Sequence, residues 1–225
     1  MTYRKMTEET EIDRTVVILG HSYVRRLKEF IDAGTYTVDH EFNIQNKKID
    51  VRYISIPGAK TQTIQDIVDD MFYKKRFLII LMIGGNDLDG SKGEPGITAD
   101  KIIHIAKDLQ KRGTKYVIIS QIIQRDKGMY VNEKIDECNL RLTVLCSLED
   151  KIIFWAHPRI NGVRKYLLGD KTNLNQRGNY ILYRGLRNGI IHVLKHCENG
   201  EPCCCSVKYR CRADGWTRRG KRKHR

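Results

Sequence analysis

Seven consecutive apolar residues, Phe77 to Ile83, lie in the middle of the chain and stop at Gly84-Gly85. The run is far short of the roughly 20 residues that a membrane span requires. It also lacks the apolar/polar alternation of a strand with one wet face. A continuously apolar strand suits a parallel sheet covered by helices on both sides. Its neighbours repeat the theme. Thr15 to Leu19 (TVVIL) is a β-branched run ending at Gly20, and Tyr23 to Ile31 follows with Val24, Leu27 and Ile31 on one helical face. Val51 to Ile56 reads as a second strand, ended by Pro57-Gly58. Thr61 or Thr63 caps the next helix, with Ile64, Ile67, Val68, Met71 and Phe72 on its apolar face.

After the Phe77–Ile83 strand comes a loop holding Gly90, Gly93, Pro95 and Gly96. A helix with Ile102, Ile105, Ala106 and Leu109 inward then ends near Gly113. Tyr116 to Ile119 is the fourth strand. Val131, Ile135, Cys138, Leu142 and Leu145 form the stripe of a fourth helix, which places Cys138 in the core. Lys151 to Trp155 is the fifth strand, and Gln176 to Leu194 the last helix. Alternating strands and helices with buried strands imply an α/β fold: a three-layer α/β/α sandwich around a doubly wound, five-stranded parallel sheet, flavodoxin-like, in one domain. The expected organisation is a polar extension over residues 1–12, the domain over 13–195 and a Cys-rich basic tail over 196–225.

Charge supports that division. The 225 residues carry a formal net charge of +14, and residues 206–225 alone hold nine bases against Asp214. Lys208, Arg210, Arg212, Arg218, Arg219, Lys221, Arg222 and Lys223 make that segment a candidate arm for nucleic acid or an anionic surface. A nuclear-import signal and a solvated end remain open beside it. Cys138 and Cys146 lie in the domain, whereas Cys197, Cys203, Cys204, Cys205 and Cys211 crowd the tail. An odd total of seven cysteines and a polar start with no apolar h-region point to a reducing, intracellular setting, cytoplasmic or nuclear. The tail cysteines lack the paired spacing of a structural zinc site. His192 and His196 nearby leave zinc open, and reversible lipidation is open too.

In doubly wound sheets, sites form at the carboxyl ends of strands. There the sequence places Gly20-His21-Ser22, Pro57-Gly58-Ala59 and Gly84-Gly85-Asn86-Asp87. A serine at a strand-to-helix turn is an acyl acceptor when a base removes its proton. The Ser22 N–H, the Gly58 N–H and the Asn86 side-chain amide would offer three donors to a developing oxyanion. Each donor is worth on the order of 3 kcal/mol when well placed. Taken singly, Ser22 reads equally as an N-cap, and Gly58 and Asn86 as loop residues. Asp87 and Asp89 read as turn residues, and no metal site is expected.

Three segments in this order, ILGHSYVRRL, ISIPGAKTQTI and LIILMIGGNDL, resemble the nucleophile, glycine and asparagine blocks of the SGNH hydrolases, the GDSL-type lipases and esterases. LLGDKTNLNQRG, before the last helix, is similar to their Asp-x-x-His block. The resemblance covers about Asp13 to Leu194. It implies Ser22 as nucleophile, Gly58 and Asn86 in the oxyanion hole, and Asp170 orienting a histidine base three residues on. It implies no cofactor. That histidine position is Asn173, and an amide takes no proton near neutral pH. The residue before the serine, usually Asp in the family, is His21. Two histidines are candidate replacement bases: His157, in FWAHPRI just after strand five, and His21 itself.

Three functions follow as expectations. The first is a catalytically impaired SGNH-type esterase domain whose pocket binds an ester or acetylated small molecule. The second is an active serine esterase or deacetylase with a relocated base. The third is a nucleic-acid-associated protein using the basic tail, a setting in which the domain resembles esterase modules of some retroelement proteins.

Overall fold

A computed structural model describes residues 14–44, 49–71, 75–161 and 163–199. The elements run β1 (Thr15–Gly20), α1 (Ser22–Asp32), β2 (Asp50–Ser55), α2 (Thr61–Met71), β3 (Leu78–Met82), α3 (Pro95–Lys111), β4 (Tyr116–Ser120), α4 (Met129–Ser147), β5 (Ile152–Trp155) and α5 (Gln176–Asn199). A single 3-10 turn, Arg164–Tyr166, precedes α5. The five strands are all parallel, in the order β2-β1-β3-β4-β5. The chain is an α/β three-layer sandwich.

Strand alternation divides the apolar residues between two cores. Val16, Ile18, Leu78, Ile80 and Met82 face α1 and α5, where Leu27, Phe30, Leu182, Leu186 and Ile190 meet them. Val17, Leu19, Ile79, Leu81 and Ile83 face α2, α3 and α4, against Ile64, Val68, Ile102, Leu109 and Leu142. The middle run is continuously apolar for this reason, since neither of its faces reaches water. Burying each such side chain is worth roughly 1.5–3 kcal/mol. Cys138 lies in the second core, and burial lifts its thiol, like that of Cys146, to about 12.

Several boundaries depart from the sequence reading. β2 spans Asp50–Ser55, one residue earlier, and is not continuously buried: it is an edge strand with exposed Asp50 and Arg52. β3 narrows to Leu78–Met82, of which all five pair with β1 and Leu78–Leu81 also pair with β4. α2 starts at Thr61, but the cap comes from another turn, because the Asp87 carboxylate accepts the Thr61 N–H at 3.0 Å and its hydroxyl at 2.7 Å. α5 continues to Asn199 and so runs through the 195/196 boundary. Residues 206–225, with Lys208, Arg210, Arg212, Arg218, Arg219, Lys221, Arg222 and Lys223, lie outside the described residues, as do Cys203, Cys204, Cys205 and Cys211.

This strand order reverses direction between β1 and β3, and a doubly wound sheet opens its crevice at such a reversal. The turns after β1 and β3 are the ones that carry Ser22 and Asn86.

Candidate active site

The β1–α1 turn is held to its neighbours on both sides. The His21 N–H reaches Met82 O at 3.3 Å, Ser55 Oγ donates to His21 O at 3.1 Å, and the Ile56 N–H donates to Gly20 O at 2.9 Å. His21, not Ser22, is the helix N-cap, with its Nδ1 accepting the Tyr23 N–H at 3.5 Å. Ser22 is the first helical residue, so its N–H belongs to the turn that has no intrahelical partner. Gly58 has φ +76°, a conformation that L side chains rarely adopt, and no hydrogen bond to another described backbone group uses its N–H. Asn86 Nδ2 donates to Ala59 O at 3.0 Å, which ties the third turn to the second. One of its two N–H groups is thereby spent on the backbone.

A fourth segment meets Ser22 from across the chain. Ser22 Oγ donates to Asn173 Oδ1 at 3.2 Å, and Asn173 Nδ2 donates to Asp170 Oδ2 at 2.7 Å. The other carboxylate oxygen of Asp170 accepts the N–H of Thr172 at 2.9 Å and of Asn173 at 2.8 Å. Asp170 therefore organises its own loop, and the cap of α5 is Asn175, whose Oδ1 accepts the Gly178 N–H at 2.9 Å. Partial burial pushes the Asp170 carboxyl up. The Asn173 and Thr172 hydrogen bonds and the Arg26 charge at 3.8 Å outweigh it and hold the carboxyl below its ordinary range. The loop is anchored by Tyr23 Oη to Thr172 O at 2.5 Å and by the Asp126 N–H to Lys171 O at 2.9 Å.

The carboxamide of Asn173 thus makes the two hydrogen bonds that a neutral imidazole makes between a hydroxyl and a carboxylate: it accepts from one side and donates to the other. It reproduces that directionality without the basicity. The line Ser22–Asn173–Asp170 can orient a hydroxyl, but it holds no group that takes the hydroxyl proton near neutral pH.

Neither candidate replacement base lies on Ser22. His157 is buried on the far side of the sheet end, its Nε2 paired with Ser120 Oγ at 2.9 Å and its ring against Gly185. Burial drives its pKa down to about 4. His21 is buried with its ring toward Gly85 and Arg125, and burial followed by the Arg125 charge lowers it to about 4, against an opposing pull from Asp89. His21 spends Nδ1 on the Tyr23 N–H, and β5, which His157 follows, lies three strands from β1 in the sheet. Among the described hydrogen bonds, the one that Ser22 Oγ makes goes to Asn173 and none joins it to His21 or His157.

Arg125 is the residue that the sequence reading missed. It follows β4, its side chain is only 2% exposed, and it ion-pairs with Asp89. Its Nη2 also donates to Asn86 Oδ1 at 3.3 Å, which turns the Asn86 NH₂ toward Ala59. A Cβ on Gly85 would lie 2.5 Å from Nη2, so this glycine makes room for the guanidinium. Asp89 is therefore an ion-pair partner and not a plain turn residue. The available signal was position: Gln121–Arg125 continues from β4 at the same sheet edge as the other turns. Beside the 170–173 loop a cleft of about 380 Å³ opens, lined by Arg125, Asp126, Asn132, Glu133, Val163 and Arg164 among others. Among the described residues no group of three or more His, Cys, Asp or Glu side chains is placed to hold a metal, and no helix is long and apolar enough to cross a membrane.

No protein-family model matches the sequence, and no curated protein matches it. Solved structures do. A GDSL-like lipase from Bacteroides thetaiotaomicron superposes with a TM-score of 0.63 at 15% identity, over 79% of this chain and 88% of that one. A carbohydrate esterase family 3 protein from Talaromyces cellulolyticus gives 0.61 at 12% identity, over 80% and 98%. A catalytic mutant of an acetylxylan esterase from Geobacillus stearothermophilus gives 0.60 at 15% identity, over 79% and 94%. With five parallel strands in this order and these neighbours, the chain has the fold of the SGNH/GDSL-type esterases and lipases.

Proposed function

We propose that this chain is an SGNH hydrolase-type esterase domain that keeps a place for an acyl group and has lost efficient turnover. The observation that carries the reading is the hydrogen-bonded line from Ser22 through Asn173 to Asp170, with an amide where proton transfer needs a base. In this reading Ser22 contributes its hydroxyl and N–H, while Gly58 and Asn86 contribute donors to a carbonyl or carboxylate oxygen. Asp170 and Asn173 hold the hydroxyl in place. The ligand is an ester, an acetylated small molecule or the carboxylate that such a compound releases. Loss of a triad member lowers kcat by about 10⁶, which leaves only the residual rate that binding and the oxyanion donors supply.

The reading is tested by treating purified protein with a fluorescent organophosphonate and by assaying an aryl acetate. Slow or absent labelling of Ser22, with no Ser22-dependent turnover, is expected. Rapid stoichiometric labelling would show an activated serine and sink the proposal.

A further inference from the structure

The domain is not evenly charged. Residues 1–155 carry 24 bases and 23 acids, whereas residues 156–197 carry eight bases against Asp170 alone. That single acid is already faced by Arg26 at 3.8 Å. The excess belongs to the loop before α5 and to α5 itself, on the sheet face away from α2, α3 and α4.

The cations there are interleaved with rings. Lys165 Nζ lies 5.3 Å from the centre of the Tyr166 ring, and the Arg177 guanidinium lies 5.9 Å from the same ring. The Arg184 guanidinium lies 5.9 Å from the Tyr180 ring, which stacks on Tyr36 at 4.6 Å and 17°. Arg177, Tyr180 and Arg184 are spaced three and four residues apart, so they share one face of α5. The two arginines stand about 10 Å apart along the helix axis. Lys165, Arg177 and Arg184 are exposed and make no ion pair with a described residue; Tyr166 is buried, so the rings that reach the surface are the half-buried Tyr36 and Tyr180.

We infer that this strip, from Lys165 through Arg177 and Tyr180 to Arg184, is a docking surface for single-stranded nucleic acid. Free cations with rings between them supply both contacts that a single strand accepts: charge for phosphates and a π face or edge for unpaired bases. A duplex hides its bases and would use the cations alone. An anionic membrane would want apolar side chains to insert beside the cations. Among the described residues the exposed large apolar side chains are Ile97, Met129, Tyr130, Leu140, Val144 and Leu148 on α3 and α4 or beside them, with only Leu168 near the strip, at 36% exposed. The inference is independent of the reading of Ser22.

The experiment uses the full chain and a fluorescein-labelled, mixed-sequence single-stranded 20-mer, with anisotropy read across a salt series. Lys165→Glu/Arg177→Glu/Arg184→Glu is compared with Lys92→Glu/Lys101→Glu/Lys111→Glu, which removes as many exposed charges from the opposite layer. A conservative set, Arg177→Lys/Arg184→Lys, and unfolding midpoints of all variants guard against misfolding. The strip variant is expected to bind on the order of 100-fold more weakly near 0.1 M salt, with the log–log salt slope smaller by about 2. The opposite-layer variant should lose much less, and the lysine set should keep the slope. Tyr180→Leu is expected to weaken binding several-fold with the slope unchanged. Equal losses from both triple variants, no loss from either, or no binding by the unaltered chain would each overturn the inference. So would a strip variant that still binds the 20-mer but releases vesicles containing phosphatidylserine.

Discussion

The Ser22 hydroxyl and the Asn173 carboxamide oxygen are hydrogen-bonded at 3.2 Å across 151 residues of sequence, with Asp170 bonded to the far side of the same amide at 2.7 Å. The carboxylate is placed where it would orient an imidazole, and the hydroxyl where it would give up its proton. In the proposed reading, what that line of residues lacks is basicity.

Asn173→His is therefore expected to restore Ser22-dependent hydrolysis of a small aryl acetate, raising the rate at least 100-fold over the unaltered chain, within the range that general-base catalysis contributes. Ser22→Ala in the same background should return it to baseline. A histidine variant that folds, as judged by its unfolding midpoint, yet stays at baseline would mean that the oxyanion donors are not competent.

Removing the carboxylate with Asp170→Ala should release the loop that it organises, since it accepts two backbone N–H groups and the Asn173 amide. The expected readout is faster hydrogen exchange at Thr172 and Asn173, with little change in the strands. Because the carboxyl is held below its ordinary range, the order that it confers is complete above the unfolded-state value and is lost only as acid titrates the folded-state group. Loop protection that declines already near pH 5 would contradict this.

Two buried histidines are expected to make the fold sensitive to acid. His21 and His157 are lowered from 6.5 to about 4. The unfolded chain takes up their protons below pH 6.5 and the folded chain only near pH 4, so their contribution is complete above 6.5 and is lost as pH falls between the two values. Each accounts for about 3 kcal/mol at the acid end. Urea midpoints should be steady from pH 8 to 7 and fall progressively from pH 6.5 to 4. His157→Gln should flatten the fall, and a profile equally steep in that variant would exclude the histidine as its source.

Breaking the pair of buried Arg125 with Asp89 should cost more than any surface substitution. Arg125→Met leaves the Asn86 carbonyl without its partner and Asp89 with only the more exposed Lys127, at 3.7 Å, an expected loss of about 1–3 kcal/mol. Arg125→Met/Asp89→Asn should recover part of it, because the carboxylate is gone and the one charge that loses a partner, Lys127, is exposed to water. Chemical denaturation of the four forms gives the coupling directly, and additive losses would argue against a coupled pair.

The sheet was legible because its signal is local. The Phe77–Ile83 run, the β-branched TVVIL segment and the helical stripes state which side chains avoid water, and a parallel sheet between two helix layers is what buries them all. The turns that end β1 and β3 were legible too, since glycines and polar residues interrupt apolar strands at one sheet edge. Local pattern erred where another element supplied the partner. Thr61 is capped by Asp87 from a different turn, and Asp89 looked like a turn residue because its cation is 36 positions away.

The sequence by itself determined that Asn173 is no base and that histidines occur at 21 and 157. Only the tertiary structure decided that Asn173 nonetheless occupies the space between Ser22 and Asp170, and that both histidines are buried elsewhere, one paired with Ser120 and one turned toward Arg125. The physical reason is that composition sets what a side chain can do chemically, while proton transfer and hydrogen bonding act over about 3 Å. Distances on that scale between remote segments are fixed by how the strands align and how the loops close, and no one-dimensional pattern carries them.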